Sequence, residues 1–252
     1  MPIELKTPVE LAKMRQAGRL VAGVLRLVGD LAEPGVTTAQ LDQAAGEYME
    51  AQGARSAFRG YRGFPANICT SVNEEVVHGI PGPRTLREGD LLKVDAGVVW
   101  EGYYGDAAVT VPIGKVTDQA LELVQVTQEA LNAGIAAVRP SVRVRQVSAA
   151  IQRVAERHGF SVVTEYTGHG IGRALHEDPK VPNYVPPGLL HRNLMLPEGA
   201  AVAIEPMVNV GTDRTEVLSN GWTVVTKDRK LSAHFEHTVA VGKSGPVILT
   251  LP

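Results

Sequence analysis

The chain has 252 residues and a net charge of −2, with 44% hydrophobic and 21% charged residues. This balance is typical of a folded globular protein and excludes a disordered, fibrous or membrane-embedded chain. Because acidic and basic residues nearly cancel, no positive field is expected to attract nucleic acid or an anionic membrane, and neither is expected as a partner.

The N-terminal sequence lacks the basic and apolar pattern of a signal peptide, and no stretch reaches about 18 apolar residues. We therefore expect a soluble, cytoplasmic protein. The single cysteine, Cys69, excludes an internal disulfide framework and a zinc site built from several thiols. Taken alone, Cys69 also fits the role of a small buried hydrophobic residue.

Two helices are predicted at the start of the chain. The segment Thr7-Pro8-Val9-Glu10 is typical of a capped helix start, and this helix is expected to run to about Leu31. Thr37 and Gln40 repeat the capping pattern before a second helix that Gly53 ends. Three strand-like runs rich in Val, Ile and Thr follow, namely ANICTSV, LLKVDAGVV and YGDAAVTVPIG.

From Thr117 the same order recurs. Two helical runs, DQALELVQVTQEALNAGIAAV and VRVRQVSAAIQRVAERHG, precede the strand-like runs SVVTEYTG, GAAVAIEPMV, GWTVVTKD and AHFEHTVAV, and Gly159 closes the second helix. The repeated order predicts one α+β domain over residues 1–252. It would contain two similar halves, about 1–115 and 116–252, packed about a pseudo-two-fold axis with a site between them.

Asp95 and Asp106 lie in two apolar runs that flank the turn segment Trp100-Glu101-Gly102-Tyr103. A hairpin centred between Trp100 and Glu101 would place the two carboxylates directly opposite each other, about 5 Å apart. Either aspartate alone also fits the solvent face of a strand. As a facing pair they would repel each other unless a cation lay between them.

Glu205 in AVAIEPMV and Glu236 in HFEHTVAV are also expected in the packed interior. A buried carboxylate costs several kcal/mol, so it normally pairs, takes up a proton or binds a metal. Four carboxylates on strand-like segments match the ligand preference of divalent metals, and a bridging pair fits two ions about 3.5 to 4 Å apart. Four negative charges also balance two divalent ions.

His169 stands in the segment Thr167-Gly168-His169-Gly170-Ile171-Gly172, whose glycines allow close approach of the backbone and aim the imidazole at a metal. A loop histidine without a ligand role is the alternative. The glycine spacing does not predict a nucleotide site, because it is G-x-G-x-G and no helix follows to receive a phosphate.

Five motifs resemble the type I methionine aminopeptidases over nearly the whole chain, in order and spacing: NEEVVHGIPG, KVDAG with YYGDAA, TGHGIGRALHEDP, AIEPMV and HFEHTVAV. The resemblance implies a pita-bread fold of class α+β. In this fold, two pseudo-symmetric halves, each with two helices and antiparallel strands, surround a dinuclear metal site.

The resemblance also implies roles for individual residues. Asp95 would bind one metal, Asp106 and Glu236 would bridge the two, and His169 with Glu205 would bind the other. His78 and His176 match two histidines that contact the scissile amide and stabilise the tetrahedral intermediate, although the residues alone suggest structural histidines. Both would therefore act as catalytic and substrate-binding residues.

A methionine pocket is implied at Tyr61, Phe64, Cys69 and Trp222, which would otherwise be plain core residues. Phe58 and Leu175 depart from residues common in the family, which leaves the preference for the residue after methionine open.

The mechanism implied is hydrolysis in which Glu205 acts as the general base and a water between the metals attacks the first carbonyl. The substrate is the N-terminal methionine of peptides and nascent proteins, preferentially followed by a small residue. Two alternatives are a proline-directed aminopeptidase of the same superfamily and a non-catalytic protein-binding module on this fold.

The carboxylate-rich ligand set accepts Mn, Fe, Co or Zn, and the sequence does not choose among them. By resemblance alone we expect a monomer, with transient ribosome association as a further partner interaction.

Overall fold

The computed structural model of the protein describes residues 2–186 and 194–252. In these ranges the helices are α1 (Pro8–Leu31), α2 (Thr38–Ala51), α3 (Asp118–Ala136) and α4 (Val144–Arg157), with a short 3-10 helix at Tyr61–Gly63. The strands of the same ranges are β1 (Arg55–Ser56), β2 (Cys69–Val72), β3 (Glu75–Val77), β4 (Leu91–Trp100), β5 (Tyr103–Pro112), β6 (Val142–Arg143), β7 (Ser161–Val162), β8 (Thr167–Gly170), β9 (Glu177–Pro182), β10 (Met195–Leu196), β11 (Ala201–Ile204), β12 (Met207–Asn209), β13 (Thr215–Val217), β14 (Val224–Thr226), β15 (Ser232–His234), β16 (Glu236–Gly242) and β17 (Gly245–Ile248).

The predicted capping boxes of the first two helices are confirmed. At α1 the Glu10 amide donates to Thr7 Oγ1 at 3.3 Å, and the Thr7 amide donates to Glu10 Oε2 at 2.8 Å. Thr37 and Gln40 make the same two hydrogen bonds at α2. These bonds satisfy amides that a helix start otherwise leaves unpaired, so local sequence alone defines where both helices begin. The first helix ends at Leu31, as predicted.

Several predicted strands are shorter than expected. The run GAAVAIEPMV divides into β11 and β12 because Pro206 has no amide hydrogen to continue the ladder. SVVTEYTG divides into β7 and β8, and AHFEHTVAV divides into β15 and β16 at Phe235. The fourth helix begins two residues late because Val142–Arg143 pairs with β10.

The largest sheet is antiparallel throughout and has the order β1-β4-β5-β16-β11-β8-β9, with β2 also paired to β4 and β17 to β16. Strands from the first part of the chain therefore adjoin strands from the second part at the β5–β16 pairing. Two helices precede a run of strands twice along the chain, with the short strand β6 between the helices of the second part.

Alternation along the strands separates the two faces of this sheet. On β4 the residues Leu92, Val94, Ala96 and Val98 lie in the core with α1 and α2, which requires that Asp95 between them lies on the opposite face. On β16 the residues Val239 and Val241 pack in the core with α3 and α4. The helices thus cover one face of the sheet and leave the other face free for the carboxylates.

Helix α1 approaches β5 through two glycines. A Cβ atom on Gly105 would lie 2.8 Å from the Gly18 amide nitrogen and 2.9 Å from the Ala17 carbonyl carbon. These are backbone atoms, which cannot rotate away, so only glycine permits this contact. Gly105 directly precedes Asp106 in β5, and the helix contact therefore fixes the strand that carries this carboxylate.

None of the helices in residues 2–186 and 194–252 combines the length and the apolar character that a membrane crossing requires.

Gly105→Ala is expected to lower the free energy of unfolding by about 1–3 kcal/mol, because the added methyl group meets helix backbone. Gly29→Ala is the matched control, since its Cβ would meet its first neighbour at 4.0 Å in a helix that favours alanine. Urea unfolding of both variants measures the difference. Equal stability of the two variants would contradict the proposed backbone contact.

Candidate metal centre and substrate pocket

The β4–β5 hairpin turns at Glu101 and Gly102, whose φ angles of 47° and 78° are those of a type I′ turn. Both central residues of such a turn need positive φ, which glycine adopts without strain. The turn therefore lies one residue later than the centre predicted from the sequence, and Trp100 pairs with Tyr103.

This register makes the predicted facing pair wrong. Asp95 pairs with Ala108, and Asp106 pairs with Gly97. The shift amounts to two residues along one strand, and side chains alternate with period two, so both aspartates stay on the same face as diagonal neighbours. The expected proximity of the two carboxylates survives, although the direct pairing does not.

Ala108 is the centre of the carboxylate arrangement. It pairs with Asp95 on β4 and with Glu236 on β16, so the three residues form one row across three strands. Asp106 lies two residues before Ala108 on the same face. The short Ala108 side chain leaves the space above it free, and three carboxylates surround that space.

Glu205 and His169 complete the site from the second part of the chain. Glu205 follows the end of β11, where Ile204 pairs with His237, so continuing this register brings Glu205 opposite Glu236. His169 lies in β8 and not in a loop. Its Nε2 lies 3.8 Å from Asp106 Oδ2 and 3.5 Å from Glu205 Oε1.

The His169 ring is oriented by its own backbone neighbourhood. Its Nδ1 lies 2.9 Å from the Gly170 carbonyl oxygen, which requires a proton on Nδ1. Burial lowers the pKa of His169 to about 3, with His176 adding to the effect. The ring is therefore neutral near pH 7, and the Nε2 lone pair faces Asp106 and Glu205, as metal ligation requires.

The carboxylates lack compensating partners. Among the described residues, no hydrogen-bond partner meets Asp95 Oδ1, Asp106 Oδ1 or Glu236 Oε1, which are all buried. Loss of water raises the pKa of Asp95 to about 7. Burial first, and then repulsion from neighbouring carboxylates, raises the pKa of Asp106, Glu205 and Glu236 well above the ordinary range.

These features fit divalent metal ions. Ligand atoms of Asp106, His169 and Glu236 lie within 4.8 Å of one another. Unpaired buried carboxylate oxygens cost several kcal/mol unless a proton or a cation compensates them. Oxygen ligands with one imidazole suit Mn, Fe, Co or Zn, which agrees with the predicted set of candidate metals.

A pocket of about 180 Å³ opens onto the carboxylates. All eleven residues that the sequence predicts for the site line it, so the structure brings the whole set together. Phe58 and Leu175, the two departures from the family pattern, line the same pocket. The predicted roles of these residues stay predictions. The predicted set in the pocket wall is Tyr61, Phe64, Cys69, His78, Asp95, Asp106, His169, His176, Glu205, Trp222 and Glu236.

Two further histidines border the metal ligands. The rings of His176 and His169 have centroids 4.1 Å apart, and His176 Nδ1 lies 2.8 Å from the Tyr61 hydroxyl. His78 adopts a positive φ of 59° and meets Tyr166 and Trp222 edge to face. Burial lowers the pKa of His78 to about 4 and also lowers the pKa of His176. Both rings are neutral near pH 7 and offer one N–H donor each.

The sequence did not predict six other residues of the pocket wall, which are Arg62, Val77, Tyr166, Thr167, Met207 and His234. His234 was detectable, because it lies two residues before Glu236 in the same strand-like run, where alternation predicts a common face. It is 1% exposed, and neither ring nitrogen has a hydrogen-bond partner among the described residues. Arg62 and Tyr166 carry no comparable sequence signal.

Comparison with known proteins agrees with this site. The sequence profile described as metallopeptidase family M24 matches residues 12–243. The chain belongs to metallopeptidase family M24. Its M24 relatives include methionine aminopeptidase 1 of Bacillus subtilis, 47% identical over 97% of this chain and 98% of the relative. Methionine aminopeptidase of Clostridium acetobutylicum is 48% identical over 99% of both chains.

Solved structures of M24 relatives share the fold. Methionine aminopeptidase of Thermotoga maritima superposes with a TM-score of 0.96 at 44% identity over 100% of both chains. The prolidase of Pyrococcus furiosus shows the fold alone, with a TM-score of 0.80 at 19% identity over 98% of this chain and 65% of its own. The resemblance and the α+β pita-bread fold predicted from the sequence are therefore confirmed.

Metal binding to this M24 site is expected to strengthen as pH rises from 5 to 8. The raised pKa values keep the carboxylates protonated at low pH, and a metal must displace these protons, so binding becomes easier as they dissociate. Calorimetry of chelator-stripped protein with Mn or Zn, in buffers of different ionisation heat, measures the protons released.

Asp95→Asn is the matched control for this titration. It removes one titrating group from the ligand set, so it is expected to release fewer protons per metal bound. Metal affinity that does not change with pH, in a folded protein, would contradict the carboxylate site.

Proposed function

We propose that this chain removes the N-terminal methionine from peptides and nascent proteins, using bound divalent metal. One observation carries the proposal. Four carboxylates and His169 converge at the floor of a pocket, with carboxylate oxygens that no described residue compensates. Full-length relatives between 44% and 48% identical bear the name methionine aminopeptidase. The chain is therefore a metal-dependent aminopeptidase.

The proposed metal centre is dinuclear. Asp95 would hold one ion, Asp106 and Glu236 would bridge, and His169 with Glu205 would hold the second. The strand order supports this division. The strands β5 and β16, which carry the two bridging residues, lie between β4 with Asp95 and the β11–β8 end of the sheet with Glu205 and His169. The bound ions would polarise the substrate carbonyl and lower the pKa of coordinated water.

Glu205 is the proposed general base. It lies beyond the end of β11, and its backbone oxygen accepts a hydrogen bond from Asn183 Nδ2 at 3.0 Å, which fixes its main chain. Its Oε1 lies 3.5 Å from His169 Nε2 among the ligand atoms, and an ionised carboxylate at this place can accept a proton from an attacking water. The same carboxyl group would then pass the proton to the departing amine.

His176 and His78 are proposed to contact the scissile amide. The Tyr61 hydroxyl at 2.8 Å from His176 Nδ1 can donate to it, which leaves the Nε2–H free to stabilise the oxyanion. His78 would hydrogen-bond the amide nitrogen. Both rings stay neutral because burial lowers their pKa values, so each donates without adding a charge.

The rest of the wall is proposed as the methionine pocket. Phe64 and Trp222 meet edge to face with centroids 5.1 Å apart, and Cys69 lies beside Asp95 in the β2–β4 pairing. Aromatic faces and sulfur atoms suit a thioether side chain.

Phe58, one of the two departures from the family pattern, packs against Gly97. A Cβ at position 97 would lie 2.6 Å from the Phe58 ring, so the ring fits only because this residue is glycine. A small second residue is the proposed preference.

The monomeric state, the transient ribosome association and the cytoplasmic location stay predictions, as does the set of candidate metals, Mn, Fe, Co or Zn. A proline-directed activity stays an alternative for the test below, since prolidases share the fold.

Chelator-stripped protein supplied with Mn or Co is expected to release methionine from Met-Ala-Ser and to release nothing from Ala-Pro peptides. Chromatography of the free amino acid measures this. Release before proline would move the activity to the proline-directed relatives. No release with any metal, in folded protein, would favour a protein-binding module.

Glu205→Gln is expected to lower kcat by about 10²–10⁴-fold, because the amide cannot accept the proton from water. Glu198→Gln is a control on the same chain segment outside the pocket. Steady-state release of methionine at saturating metal measures both variants. Near-normal turnover of Glu205→Gln would remove its role as the base.

A further inference from the structure

Lys6 is a buried lysine near the start of the chain, outside the pocket. Its side chain is 3% exposed, and its Nζ lies 2.6 Å from Glu177 Oε2, whose side chain is 10% exposed. The same Nζ donates to the Glu4 carbonyl oxygen at 3.0 Å. A charged group held this far from water needs a close and well-directed partner, and Glu177 provides it.

Glu177 connects Lys6 to the loop of residues 172–177. Its second oxygen, Oε1, accepts hydrogen bonds from the amides of Arg173 at 2.7 Å and Ala174 at 3.1 Å. One carboxylate therefore ties the N-terminal segment and two amides of the loop together. Such charge-assisted bonds are about twice as strong as neutral ones.

Gly172 makes room for this arrangement. A Cβ at that position would lie 2.1 Å from Lys6 Cε and 2.9 Å from Glu177 Oε1. The Lys6 backbone is fixed as well, because its amide donates to the Gly199 carbonyl oxygen at 2.8 Å. The lysine is therefore held at both ends, and it passes directly over the start of the loop.

The loop carries His176, the residue directly before Glu177. Its ring lies beside His169 and bonds Tyr61 inside the pocket. Glu177 is also the first residue of β9 and pairs with Gly170 next to His169. Release of the Glu177 carboxylate would remove the close anionic partner of the buried Lys6 ammonium and the acceptor of two loop amides, and the His176 backbone would lose its anchor.

We propose that Lys6 and Glu177 are positioning residues for His176. The buried ion pair fixes the 172–177 loop so that the His176 imidazole keeps its place beside His169 and Tyr61. This proposal rests on the function proposed above, because it assumes that His176 contacts the substrate.

A second ion pair joins the N-terminal part of the chain to the same loop and serves as a contrast, because one of its partners is exposed. Glu10 accepts from Arg173 Nη2 at 3.0 Å, with the Arg173 side chain 64% exposed and the Glu10 side chain 18% exposed. Water screens the exposed Arg173 guanidinium, so this pair is expected to hold the loop less strongly than the buried pair does. The loop is therefore expected to depend on the Lys6 pair.

Lys6→Met tests the proposal, because methionine keeps much of the apolar stem and removes the charge. Lys13→Met is the matched control, since Lys13 forms an exposed ion pair with Glu101 at 3.0 Å in the same part of the chain. In the metal-loaded enzyme, Lys6→Met is expected to lower kcat about tenfold with little change in KM, since small misplacement of a catalytic group is costly. Lys13→Met is expected to change neither.

A double-mutant cycle with His176→Asn separates an effect on the position of His176 from a general loss of stability. If Lys6 acts through His176, Lys6→Met has no further effect on kcat in the His176→Asn background. An equal loss in both backgrounds overturns the proposal. Lys6→Arg keeps the charge and is expected to recover most of kcat, and Glu177→Gln replaces Lys6→Met if that variant does not fold.

Imidazole NMR of chelator-stripped protein supplies a readout that needs no activity. The His176 signal, identified by its loss in His176→Asn, is expected to shift in Lys6→Met and to stay in place in Lys13→Met. An unmoved His176 signal overturns the proposal. If the unmodified enzyme releases no methionine, the proposed function fails, while the NMR comparison still decides whether the ion pair positions His176.

Discussion

Mutual repulsion among four carboxylates held out of water is the constraint on which this fold depends. Asp95, Asp106 and Glu236 share one face of one sheet, and each has an oxygen without a partner among the described residues. Glu205 joins them from just beyond the end of β11. Hydrophobic burial on the other face, under the helices, must hold them together against this repulsion. Bound divalent metal ions would offset this repulsion, so the least favourable part of the metal-free fold is also the part that binds metal.

Local sequence determined the helices and the faces of the strands. Thr7 and Thr37 define helix starts because capping depends on four consecutive residues. The face of Asp95 is likewise defined locally, because apolar residues alternate with it along β4. The hairpin register was wrong because it depends on the turn type, and the type I′ turn at Glu101-Gly102 differs from the assumed centre by one residue.

The sequence predicted which residues the site contains, but it did not predict several other residues of the pocket wall. The motifs contain seven of the eleven proposed site residues, and the resemblance over the whole chain implied the other four, which are Tyr61, Phe64, Cys69 and Trp222. Tyr166 and Arg62 were missed because packing between distant segments, and not any local pattern, brings them to the pocket wall. The strand break at Pro206, which ends the ladder before Glu205, follows from the sequence itself, because proline has no amide hydrogen to donate.

The place of β16 has a consequence for how the protein is made. This strand, residues Glu236–Gly242, lies between β5 and β11 in the sheet, although the ribosome synthesises it after both of them. Until it emerges, both neighbours present open edges that pair readily with other chains. The same strand delivers Glu236, so closure of the sheet and completion of the ligand set are one event. A chain interrupted before this strand is at once inactive and prone to aggregate.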